Sequence, residues 1–310
     1  MKTVLTGAID IGGTKIQAGI VDDAGTLLAE ACIPTECGLQ SAEEAMDKVI
    51  DLLRSQCREH GLRLSDLQGI GVACSGPVNL EEGSVENPYT LPGWMGFPIV
   101  KYLSEHSGLK VKLENDANGA LLGEVFQRGL KEKRVLMVTI GTGIGVAFWR
   151  NGELYRSGKY HPEMGHIIVS SRDTECYCGH RGCFESCCSG KAMNERAVEA
   201  GYPDFDDLYI KAQGREAQAV ELMEEILQDL KNGIWTLNLI FKPETIILAG
   251  GFSKKYFPLL RDAVLEDSRG KEDFLDEFSV LPACGNKNSA LVGANMLFLK
   301  ERYGNGNEKI

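Results

Sequence analysis

The densest concentration of reactive side chains lies in one short stretch, where His166 is followed by Cys176, Cys178 and Cys183, with Gly179 and Gly182 between the last two thiols. One imidazole and three thiolates make a closed four-ligand set of the kind that holds a structural zinc ion, and the glycines let the chain wrap it. His180, Cys187 and Cys188 stand close enough in sequence to replace one of the four, and free thiols in a reduced loop are the plainer reading. Two carboxylates flank the segment: Glu163 precedes His166 and Glu185 follows Cys183. A metal-fixed loop would hold them rigidly enough to accept hydrogen bonds from sugar hydroxyls; otherwise they are solvated surface acids. Trp94 offers a ring that could stack on a sugar face or anchor a core.

Two glycine turns have the make-up to meet phosphate. In Asp10-Ile11-Gly12-Gly13-Thr14-Lys15, backbone N–H groups unobstructed by a Cβ are joined by a hydroxyl and an ammonium. The spacing is not that of a Walker A loop. A strand follows it rather than a helix, which also excludes a dinucleotide fingerprint. The second turn is Gly141-Thr142-Gly143-Ile144-Gly145. Each turn sits between two strands, with a further turn after the second strand, at Asp23-Ala24-Gly25 and at Asn151-Gly152. Two similar halves facing each other would set both turns across one cleft as a phosphate clamp; taken singly, each is an ordinary hairpin. Asp116 follows a short strand and opens a helix, with Asn115 and Asn118 beside it and Glu124 further along. It is placed either to cap that helix or to take the proton of a hydroxyl attacking a phosphoryl group.

The elements that must position these residues are legible in outline. Strands are expected over 3–11, 15–21 and 26–33, then a helix over 41–60 opened by Ser41 with Glu44 three residues on. Further strands are expected at 67–74, 110–113, 134–140, 244–248 and 277–281, with helices at 117–128, 189–199, 215–240, 255–266 and 288–303. The tail from Gly304 is expected to fray. The chain of 310 residues has the length of two domains, and 43% hydrophobic with 25% charged residues is ordinary globular composition. A net charge of -11 repels polyanions, so no nucleic-acid partner is expected. No membrane span or export signal is read, and ten cysteines in such a chain suit a reducing, cytoplasmic setting.

The order and spacing of these pieces resemble the ROK family of bacterial sugar kinases and repressors. The resemblance rests on Asp10–Lys15, Ser75-Gly76-Pro77, Glu114-Asn115-Asp116-Ala117-Asn118 with Gly123-Glu124, Gly141–Gly145, Glu163-Met164-Gly165-His166, the three-cysteine loop with Gly182 and Glu185, and Ala249-Gly250-Gly251. It implies an α/β, two-lobed actin-like ATPase (ribonuclease H-like) fold with an interlobe cleft, one lobe from 1–115 plus 290–310 and a larger one, with the zinc loop, from 116–289. It implies that Asp10, Gly12, Gly13, Thr14 and Lys15, with Gly141, Thr142 and Gly143, line the phosphates of ATP with Mg²⁺, and that Gly250 and Gly251 lie near the nucleoside. Asp116 matches the catalytic base. Asn115, Glu163, His166 and Glu185 match sugar contacts, and His166, Cys176, Cys178 and Cys183 match ligands of a structural Zn²⁺. The implied reaction is transfer of phosphate from ATP to a hexose, at the 6-OH of glucose, fructose or an N-acetylhexosamine, by a homodimer. His161–His166 is similar to fructokinase-type members and the cysteine loop to glucokinase and N-acetylhexosamine kinase members. Two departures stand out: Val146-Ala147-Phe148 where further glycines are usual, and Cys187-Cys188 after Glu185. A repressor would need a DNA-binding module ahead of Asp10, where nine residues leave no room. A catalytically inactive sugar-binding protein is the remaining alternative, against which the intact turns, Lys15 and Asp116 count.

Overall fold

The computed structural model describes residues 3–36, 39–271, 273–284 and 288–303. The tail from Gly304, expected to fray, lies outside them. The described residues form two compact units, one from 3–132, 149–162 and 288–303, the other from 133–148 and 163–284.

The first unit carries a five-stranded sheet. Its strands are β1 (Leu5–Ile11), β2 (Lys15–Asp22), β3 (Leu27–Pro34), β4 (Ile70–Cys74) and, after the short ribbon β5 (Val78–Asn79) and β6 (Ser84–Val85), β7 (Val111–Asn115). The order is β3-β2-β1-β4-β7. The first three strands run antiparallel through short turns, whereas β4 and β7 lie parallel to β1. Ile9, Ile16 and Val72 are fully buried, as are Met46 and Leu53 of α1 (Ala42–Glu59). The start of α1 is set by a reciprocal capping box: Glu44 N–H donates to the Ser41 hydroxyl, and the Glu44 carboxylate accepts from Ser41 N–H. Helix α2 (Ile99–Ser107) lies against α1 and β7, and Gly108, at φ 72°, ends it in the left-handed conformation. Trp94 is fully buried, edge-on to Phe97, so it is a core anchor and not a sugar platform.

The expected division before Asp116 is not where the unit ends. Helix α3 (Asp116–Arg128) stays with the first unit, packed on α9 (Ser289–Tyr303), because three glycines let the two backbones meet. A Cβ at Gly123 would overlap the carbonyl oxygen of Ser289, and one at Gly293 would overlap that of Gly119. Helix α9 is moored to β1 by the buried bond from the Thr6 hydroxyl to the Asn295 side-chain carbonyl (2.5 Å), and Asn295 donates in turn to the carbonyl of Asp22 (2.8 Å).

The second sheet comprises β8 (Val135–Ile140), β9 (Ile144–Arg150), β10 (Glu153–Leu154), β11 (Thr245–Ala249) and β12 (Ser279–Pro282), in the order β10-β9-β8-β11-β12. Strand polarity repeats that of the first sheet: β8, β9 and β10 are antiparallel neighbours, and β11 and β12 are parallel to β8 and to each other. The internal echo in the sequence is thus a doubled sheet. The core beside it is filled by α4 (Phe184–Cys188), α5 (Gly190–Glu199), α6 (Phe205–Gln213), α7 (Ala217–Phe241) and α8 (Gly251–Ser268), through residues such as Phe184, Met193, Leu208, Ile234 and Leu260. Helices α2 and α6 had not been expected from the sequence. Val146, Ala147 and Phe148, where glycines are usual, are buried in β9 as core residues. No helix among the described residues is long and apolar enough to cross a membrane.

Candidate functional site

In the first unit the singled-out residues gather at the C-terminal ends of three adjacent parallel strands. Ile11 pairs with Cys74 and Cys74 with Asn115, so the glycine turn after β1, the Ser75 turn after β4 and Asp116 after β7 leave the sheet side by side. Strand ends of this kind are where open α/β sheets take their ligands. The hairpin turn is closed by Gly12 N–H donating to Lys15 C=O (3.0 Å). Thr35 braces it: its hydroxyl donates to Gly12 C=O (2.7 Å) and its N–H to Thr14 C=O (3.0 Å). Gly13, Thr14 and Lys15 are exposed. Asp10 is half-buried, and burial pushes its carboxyl up to about 6 against the opposing pull of Lys15.

Asn115, not Asp116, caps α3: its side-chain carbonyl accepts from the N–H groups of Ala117 (2.9 Å) and Asn118 (3.3 Å). Asp116 is the first helical residue and half-buried, with one carboxylate oxygen accepting from Ala117 N–H (2.8 Å). Glu114, fully buried, supports the pair from behind. It accepts from the Asn118 side-chain amide (2.9 Å) and from Arg156 Nε (3.0 Å), with Arg156 Nη2 on the same oxygen. Sequence reasoning did not single out Arg156, because its partner lies 42 residues away.

In the second unit the glycine turn after β8 and Gly250-Gly251 after β11 are neighbours, since Thr139 pairs with Ala249 in parallel. Gly250 has φ 91° and lies so close that a Cβ would overlap the carbonyl of Ile140. Gly141 N–H donates to Gly143 C=O (3.0 Å), and the exposed Thr142 forms the tip of the turn. The Glu163-to-His166 segment packs on the start of β9, where a Cβ at Gly165 would overlap the carbonyl of Ile144. Glu163 is exposed as a residue, yet its carboxyl is shielded from water; that desolvation, with the negative charge of Glu185, pushes its pKa up.

The ligand atoms of His166, Cys176, Cys178 and Cys183 all lie within 4.8 Å of one another. His166 Nδ1 is 3.4 Å from Cys176 Sγ, and Cys178 Sγ is 3.5 Å from Cys183 Sγ. Tetrahedral zinc with sulfur at 2.3 Å would set two sulfurs about 3.8 Å apart, so the donor set fits that ion. The loop is built by Gly179 and Gly182, at φ 90° and 72°, and by Cys176 N–H donating to His180 C=O (2.9 Å). Of the possible substitutes, His180 is exposed and not one of the four, and Cys187 and Cys188 are core residues. Tyr177, which sequence reasoning passed over, bonds Glu185 through its hydroxyl and stands edge-on to the His166 ring at 5.0 Å.

The sequence matches the ROK family over residues 6–301. The chain belongs to the ROK family. It is 28% identical to the glucokinase of Thermotoga maritima, over 96% of this chain and 97% of that one. Its structure is similar to that of a ROK hexokinase from Thermus thermophilus, with a TM-score of 0.81 at 28% identity, covering 97% of this chain and all of the other. It is also similar to a ROK family glucokinase from Streptomyces griseus in complex with glucose and AMPPNP, with a TM-score of 0.73 at 28% identity over 94% and 98% of the two chains. With the doubled sheet order, these likenesses assign the ROK chain to the actin-like ATPase (ribonuclease H-like) class of α/β folds.

Proposed function

We propose that this ROK chain is a sugar kinase that transfers the γ-phosphoryl group of ATP to a hexose hydroxyl, with the 6-OH as acceptor and Asp116 as general base. The observation that carries the assignment of the base is the place of Asp116 at the C-terminal end of β7, in line with the turns that leave β1 and β4. Asn115 caps α3, and the half-buried Asp116 carboxylate accepts from Ala117 N–H at the head of the helix. Glu114 and Arg156 fix the strand end from which it projects. A carboxylate so held takes the hydroxyl proton as the oxygen attacks phosphorus, the P–O bond to ADP breaks, and ADP leaves with that bond's electron pair.

Gly12, Gly13, Thr14 and Lys15, with Gly141, Thr142 and Gly143, supply N–H, hydroxyl and ammonium donors for the phosphates, and Gly250 and Gly251 leave room for the nucleoside. Asp10 is the acid beside the first turn suited to hydrated Mg²⁺, which when bound with ATP spreads the charge of the γ-phosphoryl group. Asn115, Glu163, His166 and Glu185 orient the sugar. His166, Cys176, Cys178 and Cys183 hold a structural Zn²⁺ that keeps the sugar loop in shape. The likeness to glucokinases supports glucose as the first sugar to try. A homodimer in the cytoplasm completes the reading. No disulfide joins the cysteines among the described residues, as suits that compartment.

The test is ADP release measured over glucose, fructose, mannose, allose, N-acetylglucosamine and N-acetylmannosamine with MgATP. One of these sugars is expected to drive turnover, and Asp116→Asn to cut kcat by about 10²–10⁴ while sugar binding holds. Sugar binding without turnover in the unaltered protein would favour the inactive sugar-binding alternative. Near-normal kcat in the variant would remove Asp116 as the base.

A further inference from the structure

The second glycine turn is closed on itself by Gly141 N–H donating to Gly143 C=O (3.0 Å). It is held from outside at both ends. Gly190 N–H, at the start of α5, donates to Gly141 C=O (2.8 Å). At the other end Glu185 Oε2 accepts from the N–H of Ile144 (2.7 Å), a charge-assisted bond. That approach depends on glycine at 143, where a Cβ would run into the Glu185 carboxylate. Glu185 is itself doubly placed. It follows Cys183 by two residues, in the first turn of α4, and it is bonded by the hydroxyl of Tyr177 from the Cys176-Tyr177-Cys178 hook.

We propose that Glu185 is a positioning residue for the phosphate turn, so that one carboxylate joins the sugar loop to the nucleotide-binding backbone. The proposal rests on the reading of Gly141–Gly143 as a phosphate turn. A carboxylate has about four lone-pair sites. One is taken by Ile144 N–H and another by the Tyr177 hydroxyl, which leaves acceptor capacity for a ligand hydroxyl. The turn's amides therefore hold their aim only while Glu185 holds Ile144. A sugar hydroxyl that draws on the same carboxylate changes that hold, and by linkage sugar and nucleotide then change each other's affinity by the same factor.

The experiment is calorimetric titration of MgADP into sugar-free protein, for the unaltered chain and for Glu185→Ala, Glu185→Gln and Glu185→Asp. Glu185→Ala should weaken MgADP about tenfold or more, the loss of one charge-assisted bond's worth of positioning. Glu185→Gln keeps an oxygen for Ile144 N–H and should stay within about threefold of the unaltered chain. Glu185→Asp retains the charge but falls a methylene short, so it should weaken binding in the manner of alanine, and it serves where the alanine variant does not fold. A residue acting on sugar alone would leave sugar-free MgADP binding untouched in all three. That result, with the unaltered chain binding MgADP normally, overturns the proposal and leaves the kinase reading standing. No MgADP binding by the unaltered chain overturns both.

Discussion

In the first unit Thr35, the residue after β3, donates a neutral hydroxyl to Gly12 C=O; in the second, a carboxylate from the cysteine-rich segment accepts from Ile144 N–H. The sheets beneath these turns have the same order and polarity, so the difference is not one of architecture. It lies in the segment after each sheet's third strand. The first unit goes from β3 to a capped helix and braces its turn with a neighbour in the same hairpin layer. The second inserts a loop with its own ligand cluster and makes its turn depend on that loop. A further contrast sits two positions before each turn's first glycine. The first unit has Asp10 there, and the second has Thr139. At that position the first half carries a titratable carboxyl and the second a neutral hydroxyl, while the metal-type cluster belongs to the second half.

The largest expected effect breaks this comparison from the second side. Cys183→Ser removes one of the four ligands two residues before Glu185. Structural zinc in small modules is worth on the order of 10 kcal/mol, so the loop should lose its shape. Zinc content by elemental analysis should fall well below the one ion per chain expected of the unaltered protein. The melting temperature should drop by about 10 °C or more, and sugar-dependent ADP release should disappear. Amide protection in α3 and α9, which pack on each other within the first unit, should survive. Folded, active protein that carries no zinc would show that the four side chains make a packing cluster only.

A smaller effect sharpens the comparison from the first side, through pH. The Asp10 carboxyl stands at about 6 in the folded chain against an ordinary 3.8. Below 3.8 both folded and unfolded chains are protonated there, and no penalty operates. As pH rises through the interval the unfolded chain ionises first, so the contribution of Asp10 to stability is lost progressively until about pH 6. Asp10→Asn should therefore match the unaltered protein in acid and exceed it in melting temperature near neutrality, while losing turnover with MgATP. A melting difference that does not grow with pH would contradict the burial of this carboxyl. The second unit has no counterpart at Thr139 to blur the measurement.

How much of this was legible in the sequence varies with the range over which each signal acts. Helix α1 was readable because Ser41 and Glu44 satisfy each other within one turn. The glycine turns and the hooked cysteines were readable because their spacing is local. Helix α2 was missed since its buried side chains are only Ile99 and Leu103, too few to display a period, and no side chain caps it. The division before Asp116 failed for a non-local reason: Gly119 and Gly123 face Gly293 and Ser289 across more than 160 positions of sequence. The spacing of Gly119 and Gly123 was the available clue to a close helix contact. Glu114 and Arg156 carried no local clue, because the ion pair exists only once β7 and the arm after β10 have met. The cap at Asn115 was open to misreading, since either side chain of an Asn-Asp pair can serve, and only geometry selects one.

The smallest effect tests whether charge is what separates the two braces. Thr35 is buried, and valine matches its shape without the hydroxyl. Thr35→Val leaves Gly12 C=O without that donor, at a cost of about 1 kcal/mol for a neutral bond, and should weaken MgADP about threefold. Thr35→Ser keeps the hydroxyl and should restore binding. The loss should stay below the roughly tenfold expected when the carboxylate at 185 is removed, because a charge-assisted bond is about twice as strong as a neutral one. Should Thr35→Val weaken MgADP as severely as Glu185→Ala, the two turns would be equivalent in their need for bracing. The asymmetry would then belong to the loops that supply the braces and not to the braces themselves.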